Sequence, residues 1–246
     1  MNFFVTGGAR GIGEAIVIEA LRRGHDVAFT YRSSADAAQR VLAIARDLAP
    51  DRICRAYPLD VRDPVEVEAI ADRVLDELGR VEVVVNNAGV NVNGLAASLD
   101  DEEWREVIET NLSGAFYVSR AFLAPMMRAA FGRLIHISSL GRGGVTGQVA
   151  YAASKAGLLG LSSTLAKEYG RRGITSNVVA PGFFETDMTR EGMSESNREF
   201  WLKYCPVGRL GELPEIAGLV LFLASREAGY VNGETISVTG GLDWAP

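Results

Sequence analysis

Cysteine is nearly absent: only Cys54 and Cys205 occur in 246 residues, at unrelated positions. Two thiols so placed define neither a disulfide framework nor a zinc-ligand set, and they suit a reducing compartment. Proline is scarce as well, at 8, and no low-complexity tract, long charge run or Pro/Ser-rich linker interrupts the chain. That marks no domain boundary. No stretch reaches the roughly 20 apolar residues of a membrane span. The start, Met1-Asn-Phe-Phe-Val-Thr-Gly-Gly, is too short for a basic leader followed by an apolar core, so a cytoplasmic location is expected. A basic excess is missing too. With a net charge of −6 and a pI near 5.1, the chain is expected to bind neither nucleic acid nor anionic membrane, which leaves only local basic patches.

What is present is 48% hydrophobic residues and 27 glycines, a composition for one sizeable core. Short β-branched runs alternate with longer amphipathic ones from end to end. Strands are expected near 2–6, 26–31, 53–58, 81–86, 133–138, 174–180 and 234–238, and helices near 11–24, 35–48, 64–78, 101–129, 151–170 and 213–224. The fold class predicted is therefore α/β, a single-domain Rossmann-type doubly wound parallel sheet of about seven strands with helices on both faces. Asp63-Pro64 reads as an N-cap with proline at the first helical position, Ser98-Leu-Asp-Asp-Glu-Glu as a capped acidic helix start, and Gly24 and Gly79 as helix stops. Region 187–205 is polar, with Met188, Met193, Phe200, Trp201 and Tyr204 at loosely helical spacing. It reads equally as a substrate flap carrying apolar anchors or as a surface helix pinned by its own aromatics.

Strand Phe3-Phe4-Val5 runs into Thr6-Gly7-Gly8-Ala9-Arg10-Gly11-Ile12-Gly13 and then into a helix. In such a turn Gly7 permits tight reversal, Gly11 removes a Cβ that would block a pyrophosphate, and Gly13 lets the helix approach the strand. The backbone N–H groups of Arg10 to Gly13, Ile12 included, are left to meet an anion. A site preferring NAD has an acid about 20 residues further on, at the end of the second strand, for the ribose hydroxyls. Here that place reads Thr30-Tyr31-Arg32-Ser33-Ser34, with no carboxylate until Asp36. Arg32, with Arg10, offers two cations where a 2′-phosphate would lie, so NADP(H) is the expected cofactor, held in part by Tyr31, Arg32 and Ser33.

Tyr151 and Lys155 lie four residues apart on an expected helix. Four residues advance a helix by about 400°, so the two side chains share one face. A phenol near pKa 10 trades protons poorly at neutrality, and an adjacent ammonium is expected to lower that value. Ser138 and Ser139 end the apolar run just before, where a donor to a carbonyl oxygen could sit. Taken alone, the pair also reads as an ordinary half-buried tyrosine beside a solvated lysine.

Together these residues resemble the short-chain dehydrogenase/reductase family, over essentially the whole chain. Its Thr-Gly-x-x-x-Gly-x-Gly signature is met by Thr6 to Gly13, its Asn-Asn-Ala-Gly element by Asn86-Asn87-Ala88-Gly89, and its Asp-Val pair near adenine by Asp60-Val61. Pro181-Gly182 with Thr186 matches its nicotinamide-side element. The resemblance implies a catalytic set of Asn111, a serine, Tyr151 and Lys155, and cofactor contacts from Asn87, Ala88, Gly89, Tyr151 and Lys155. Tyr151 would exchange the proton of the substrate oxygen, the serine would polarise the carbonyl, Lys155 would hold the nicotinamide ribose, and Asn111 would anchor a water. Strand register selects Ser139, whereas counting back from the tyrosine selects Ser138, because the loop Leu140 to Ala150 is one residue shorter than usual. Register is harder to change than loop length, so Ser139 is preferred.

Within the family the segments 101–111, 172–188 and 206–211 look most like those of 3-oxoacyl-[acyl-carrier-protein] reductases. This implies reduction of acyl-carrier-protein-bound 3-oxoacyl thioesters to (3R)-hydroxyacyl products in fatty acid or related acyl-chain synthesis. A homotetramer paired through the helices of 101–129 and 151–170 is also implied, with Ala156, Gly157 and Gly160 allowing close approach. Arg171 and Arg172 match part of the family's carrier-protein patch and Arg128 lies near the rest, but Ala129-Ala-Phe131 is not basic. Another carbonyl substrate (an acyl-CoA, sugar, steroid or small ketone) is the alternative, and a dinucleotide sensor without turnover is the third reading.

Overall fold

In a computed structural model, which describes residues 1–186 and 195–243, the apolar runs form seven parallel strands in the order β3-β2-β1-β4-β5-β6-β7. The strands are β1 (Asn2–Val5), β2 (Asp26–Tyr31), β3 (Cys54–Pro58), β4 (Val83–Asn86), β5 (Gly132–Ile137), β6 (Ile174–Pro181) and β7 (Thr235–Val238). β4, β5 and β6 are buried along their whole length. They read as continuous apolar runs because helices cover both faces of a parallel sheet.

Alternation along each strand sorts side chains between two cores. Phe3 and Val5 join Phe29 and Ile135 under α1 (Gly11–Arg22), α2 (Ala35–Leu48) and the C-terminal helix. Phe4 faces the other way, onto Leu134, Val84 and the helices α3 (Pro64–Leu78) and α5 (Gly114–Ala129). Its ring meets Phe122 of α5 at 4.9 Å between centroids. Burying a ring of this size stabilises by about 2–3 kcal/mol, and cutting Phe122 to alanine would cost about 3–5.

Most helix signals in the sequence lie where they act. The Asp63 carboxylate accepts from the Val65 and Glu66 amides with Pro64 at the first helical position, and Gly79 ends α3 at φ 75°. The acidic start differs: Asp100, not Ser98, caps α4 (Asp101–Ile108), in a reciprocal box with Glu103, while Ser98 donates to Leu95 O. The single helix expected over 101–129 is three pieces, since a π-helical turn, Glu109–Ser113, separates α4 from α5. That turn carries Asn111. α6 (Val149–Tyr169) follows a 3-10 turn at Leu140–Gly143, and Gly157 on it lets Leu112 of the π turn pack where a Cβ would lie only 2.7 Å away. The remaining helices are α7 (Glu195–Tyr204) and α8 (Leu213–Ala224). α7 is the described part of the expected flap. Met188 and Met193 lie outside the described residues.

Candidate active site

In an open parallel sheet the strand order reverses beside β1, and a crevice opens there at the carboxyl ends of β1 and β4. The glycine turn occupies this place. Gly7 and Gly11 have φ of 64° and 56°, the left-handed region that favours glycine. A Cβ on Gly13 would stand 2.2 Å from Gly7 O, so only glycine lets α1 start this close to the turn. A Cβ on Gly11 would meet nothing nearer than Thr186 at 3.8 Å. Gly11 therefore faces open space, with Thr186 on the opposite wall.

Asn87 and Thr6 brace the turn from β4. Asn87 Nδ2 donates to Thr6 O and Gly7 O at 3.0 and 3.1 Å, while Thr6 Oγ1 accepts the Asn87 and Ala88 amides at 3.0 Å. Both Asn87 amide hydrogens are thus engaged within the protein. No side chain caps the N-terminus of α1, where Arg10 is extended and exposed and Ile12 half-buried. Its first amides are free for an anion. The open Gly11 and this uncapped terminus fit a pyrophosphate.

At the other end of the groove Tyr31 closes β2, and Arg32 and Ser33 are exposed beyond it. Arg32 Nη1 lies 3.2 Å from Glu106 Oε1 of α4. Asp60 accepts Arg62 Nε at 2.9 and 3.0 Å, and these bonds hold its carboxyl below the usual range. Its neighbour Val61 packs against Gly114 at the start of α5. Pro181 ends β6, and Gly182, tied to Val238 O at 2.9 Å, turns the chain toward Thr186.

Around Tyr151 the two serines separate. Ser138 is buried and donates to Lys155 O at 2.8 Å. Ser139 accepts the Gly141 amide at 3.0 Å and neighbours Tyr151 there, since a Cβ on Gly141 would lie 3.4 Å from Ser139 Oγ and 3.6 Å from Tyr151 Cε1. Lys155 is buried, donates Nζ to Ile137 O at 2.8 Å and sits 5.7 Å from the Tyr151 ring centroid. Burial lowers its pKa to about 8.

The Tyr151 phenol moves opposite to the expectation drawn from its lysine neighbour. Burial raises its pKa, and the Ser139 hydroxyl only partly opposes the rise. The ammonium is aimed at Ile137 O and is itself penalised by burial, so desolvation of the phenol prevails.

Asn111 is held through its side chain. Oδ1 accepts the Val90 amide at 2.8 Å, and Nδ2 donates to Val90 O at 2.9 Å and to Ser154 Oγ at 3.0 Å. The side chain thereby ties the segment after β4 to α6. Gly89 lies between the groups it joins, since its Cβ would be 3.2 Å from Asn111 Oδ1 and 3.3 Å from Lys155 Nζ.

Sequence reasoning missed Glu106 and Arg62, whose charges meet Arg32 and Asp60. Glu106 lies 74 residues from its partner, a separation no local pattern bridges.

The family model described as Enoyl-(Acyl carrier protein) reductase matches residues 7–243. The chain is 46% identical over 248 residues to the 3-oxoacyl-[acyl-carrier-protein] reductase FabG of Escherichia coli (strain K12), covering 98% of this chain and 99% of the relative. Against the protein of that name from Pseudomonas aeruginosa (strain PAO1) it is 45% identical over 240 residues, covering 97% and 95%. The solved structure of levodione reductase superposes with a TM-score of 0.93 at 32% identity, covering 98% of this chain and 96% of that one. Sheet order, glycine turn and full-length similarity agree, and the chain belongs to the short-chain dehydrogenase/reductase family.

Proposed function

We propose that the protein is an NADPH-dependent 3-oxoacyl-[acyl-carrier-protein] reductase that forms (3R)-hydroxyacyl products in acyl-chain synthesis. The observation that carries this reading is the meeting of Ser139 and Tyr151 beside Gly141, with Lys155 buried 5.7 Å from the ring. The FabG relatives supply the substrate class.

The glycine turn, Arg10, Ile12 and the α1 amides hold the pyrophosphate. Arg32, Tyr31 and Ser33 take the adenosine 2′-phosphate side, Asp60 and Val61 border adenine, and Ala88, Gly89, Pro181, Gly182 and Thr186 line the nicotinamide end. NADPH, when bound, supplies the hydride for the carbonyl carbon. Tyr151 hands its phenolic proton to the substrate oxygen, and its raised pKa keeps that proton in place until charge develops there. Ser139 donates to the same oxygen. Lys155 holds the nicotinamide ribose and favours the tyrosinate left behind. Asn111, whose side chain ties Val90 to Ser154, anchors a water that passes protons to solvent.

α7 serves as the substrate flap. Trp201 stacks on Phe183 at 4.2 Å and shares an apolar cluster with Leu140 and Leu242, next to the Ser139 loop.

The carrier patch comprises Arg128, Arg171 and Arg172, all exposed. It lies at the amino ends of β5 and β6, whereas Ser139 follows the carboxyl end of β5. A homotetramer with α4, α5 and α6 at an interface is supported by Trp104, Phe116 and Val149, each 40% exposed, and by the open Gly160. No described helix is long and apolar enough to cross a membrane, and two unpaired cysteines suit the cytoplasm.

A second reading, reduction of another carbonyl, is favoured by one feature of that patch. Phe131 stands where a basic residue is expected, its ring covered by Arg133 at 4.1 Å and Arg226 at 4.7 Å. NADPH oxidation assayed with acetoacetyl-carrier-protein, acetoacetyl-CoA and simple ketones decides between the two. The proposal requires the carrier-bound substrate to win, and Tyr151→Phe to lose nearly all turnover while keeping NADPH affinity. Oxidation with simple ketones alone would replace it by the second reading.

A further inference from the structure

Arg32 and Glu106 lie on opposite sides of the segment over which adenosine must rest. The Leu59 amide donates to Tyr31 O at 2.9 Å, tying that segment to the end of β2, while Val61 packs against Gly114 where the helical wall begins. The Arg32 to Glu106 contact, at 3.2 Å, therefore spans Asp60 and Val61 from strand to helix. Arg62 is clipped to Asp60 and feels the charges of Glu106 and Glu109, and Asp60 feels Arg32. Charge alternates around this ring, which borders a mostly acidic groove that Arg62, Glu103, Glu106 and Glu109 help to line.

A phosphate monoester carries about −1.5 to −2 at neutrality and seeks the same guanidinium donors as a carboxylate. Both partners of the bridge are well exposed, at 45% and 38%, so little resists its opening except the pairing itself. We propose that Glu106 is a selectivity residue: its carboxylate competes with the adenosine 2′-phosphate for Arg32 and holds NADPH affinity several-fold below what Arg32 alone would give. The inference rests on reading Arg32 as the 2′-phosphate ligand. Glu106 occupies Arg32 Nη1, and its carboxylate stands beside the phosphate as a repelling charge.

Dissociation constants for NADPH, NADH, 2′-AMP and 5′-AMP, measured by titration calorimetry, test this on the wild type, Glu106→Gln, Arg32→Ala and the double variant. Glu106→Gln is expected to tighten NADPH and 2′-AMP by about 5-fold, the upper range for an exposed ion pair, and to leave NADH and 5′-AMP unchanged. The gain is expected to vanish in the Arg32→Ala background and to shrink at high salt. Unchanged or weaker NADPH binding in Glu106→Gln, with Arg32→Ala still losing NADPH, overturns the role of Glu106 alone. An Arg32→Ala variant with an unaltered NADPH to NADH ratio overturns the cofactor reading as well.

Discussion

The Ser138 hydroxyl donates to the main-chain carbonyl of Lys155 at 2.8 Å, so the strand end is bolted to the helix that carries the site's cation. Ser139, one residue on, turns to Tyr151. The two serines are expected to fail differently. Ser139→Ala should lower kcat by about 10²–10³-fold, the scale for a lost donor to a developing oxyanion, with little change in stability. Ser138→Ala removes a second hydrogen bond from a carbonyl that keeps its partner within α6, and should cost about 1 kcal/mol in urea unfolding while retaining most turnover. Equal loss of kcat in both variants would remove the distinction.

The glycines of the turn separate in the same way. Gly13→Ala drives a methyl to 2.2 Å from Gly7 O, a backbone atom, so at least about 2 kcal/mol of stability should be lost. Gly11→Ala has room within the protein and only its φ of 56° to oppose it, worth about 1–2 kcal/mol. Its larger effect should appear as a tenfold or greater rise in the NADPH Kd. Near-wild-type folding of Gly13→Ala would show that the close approach is not required.

Lys155 links function to a stability cost. Its pKa falls from 10.5 to about 8 on folding, so the folded state holds fewer protons than the unfolded one between those values. Stability therefore rises with pH across that window, and the burial penalty is fully present below it. Relative to Lys155→Met, the wild type should gain about 2 kcal/mol between pH 7 and pH 9.5 in urea unfolding. The methionine variant should lose turnover at every pH. A constant stability difference between the two would mean that Lys155 is not desolvated.

Much of the architecture was legible because each apolar run is short, β-branched and punctuated by glycine, so that period and length agree on strand or helix. Asp63-Pro64 and Gly79 announced their caps through local chemistry alone. The π turn at Glu109–Ser113 was not legible. Its residues continue the helical pattern, and it is stabilised by remote partners, the Asn111 bonds to Val90 and Ser154. For the same reason the sequence could pair Tyr151 with Lys155 but could not weigh a phenol's burial against an ammonium held by Ile137 O. Glu106 was invisible as a partner of Arg32 because the contact exists only once β2 and α4 are brought together.

His136 sits in β5 with no exposed surface, its Nδ1 3.2 Å from Asn86 Nδ2 and its Nε2 3.2 Å from Ser176 Oγ. Ser176 continues to Ser162 at 2.9 Å, so a polar chain crosses three strands beneath α5 and α6. An amide nitrogen can only donate, which makes Nδ1 the acceptor and leaves the proton on Nε2. Burial lowers the pKa from 6.5 to about 4, and the ring is neutral at pH 7. The unfolded chain takes up the proton first on acidification, so stability is lost as pH falls from 6.5 toward 4. Protonation at Nδ1 would set it against the Asn86 amide hydrogens, and Asn86 Oδ1, buried without a partner, could relieve this only by an amide flip. His136→Gln removes the titration, while His25, lowered in both proteins, cancels in the comparison. The wild type is expected to lose about 2 kcal/mol more than His136→Gln between pH 7 and pH 4.5, read by urea unfolding at each pH. Parallel losses in the two proteins would mean that the folded ring is reached by water and titrates like the unfolded one.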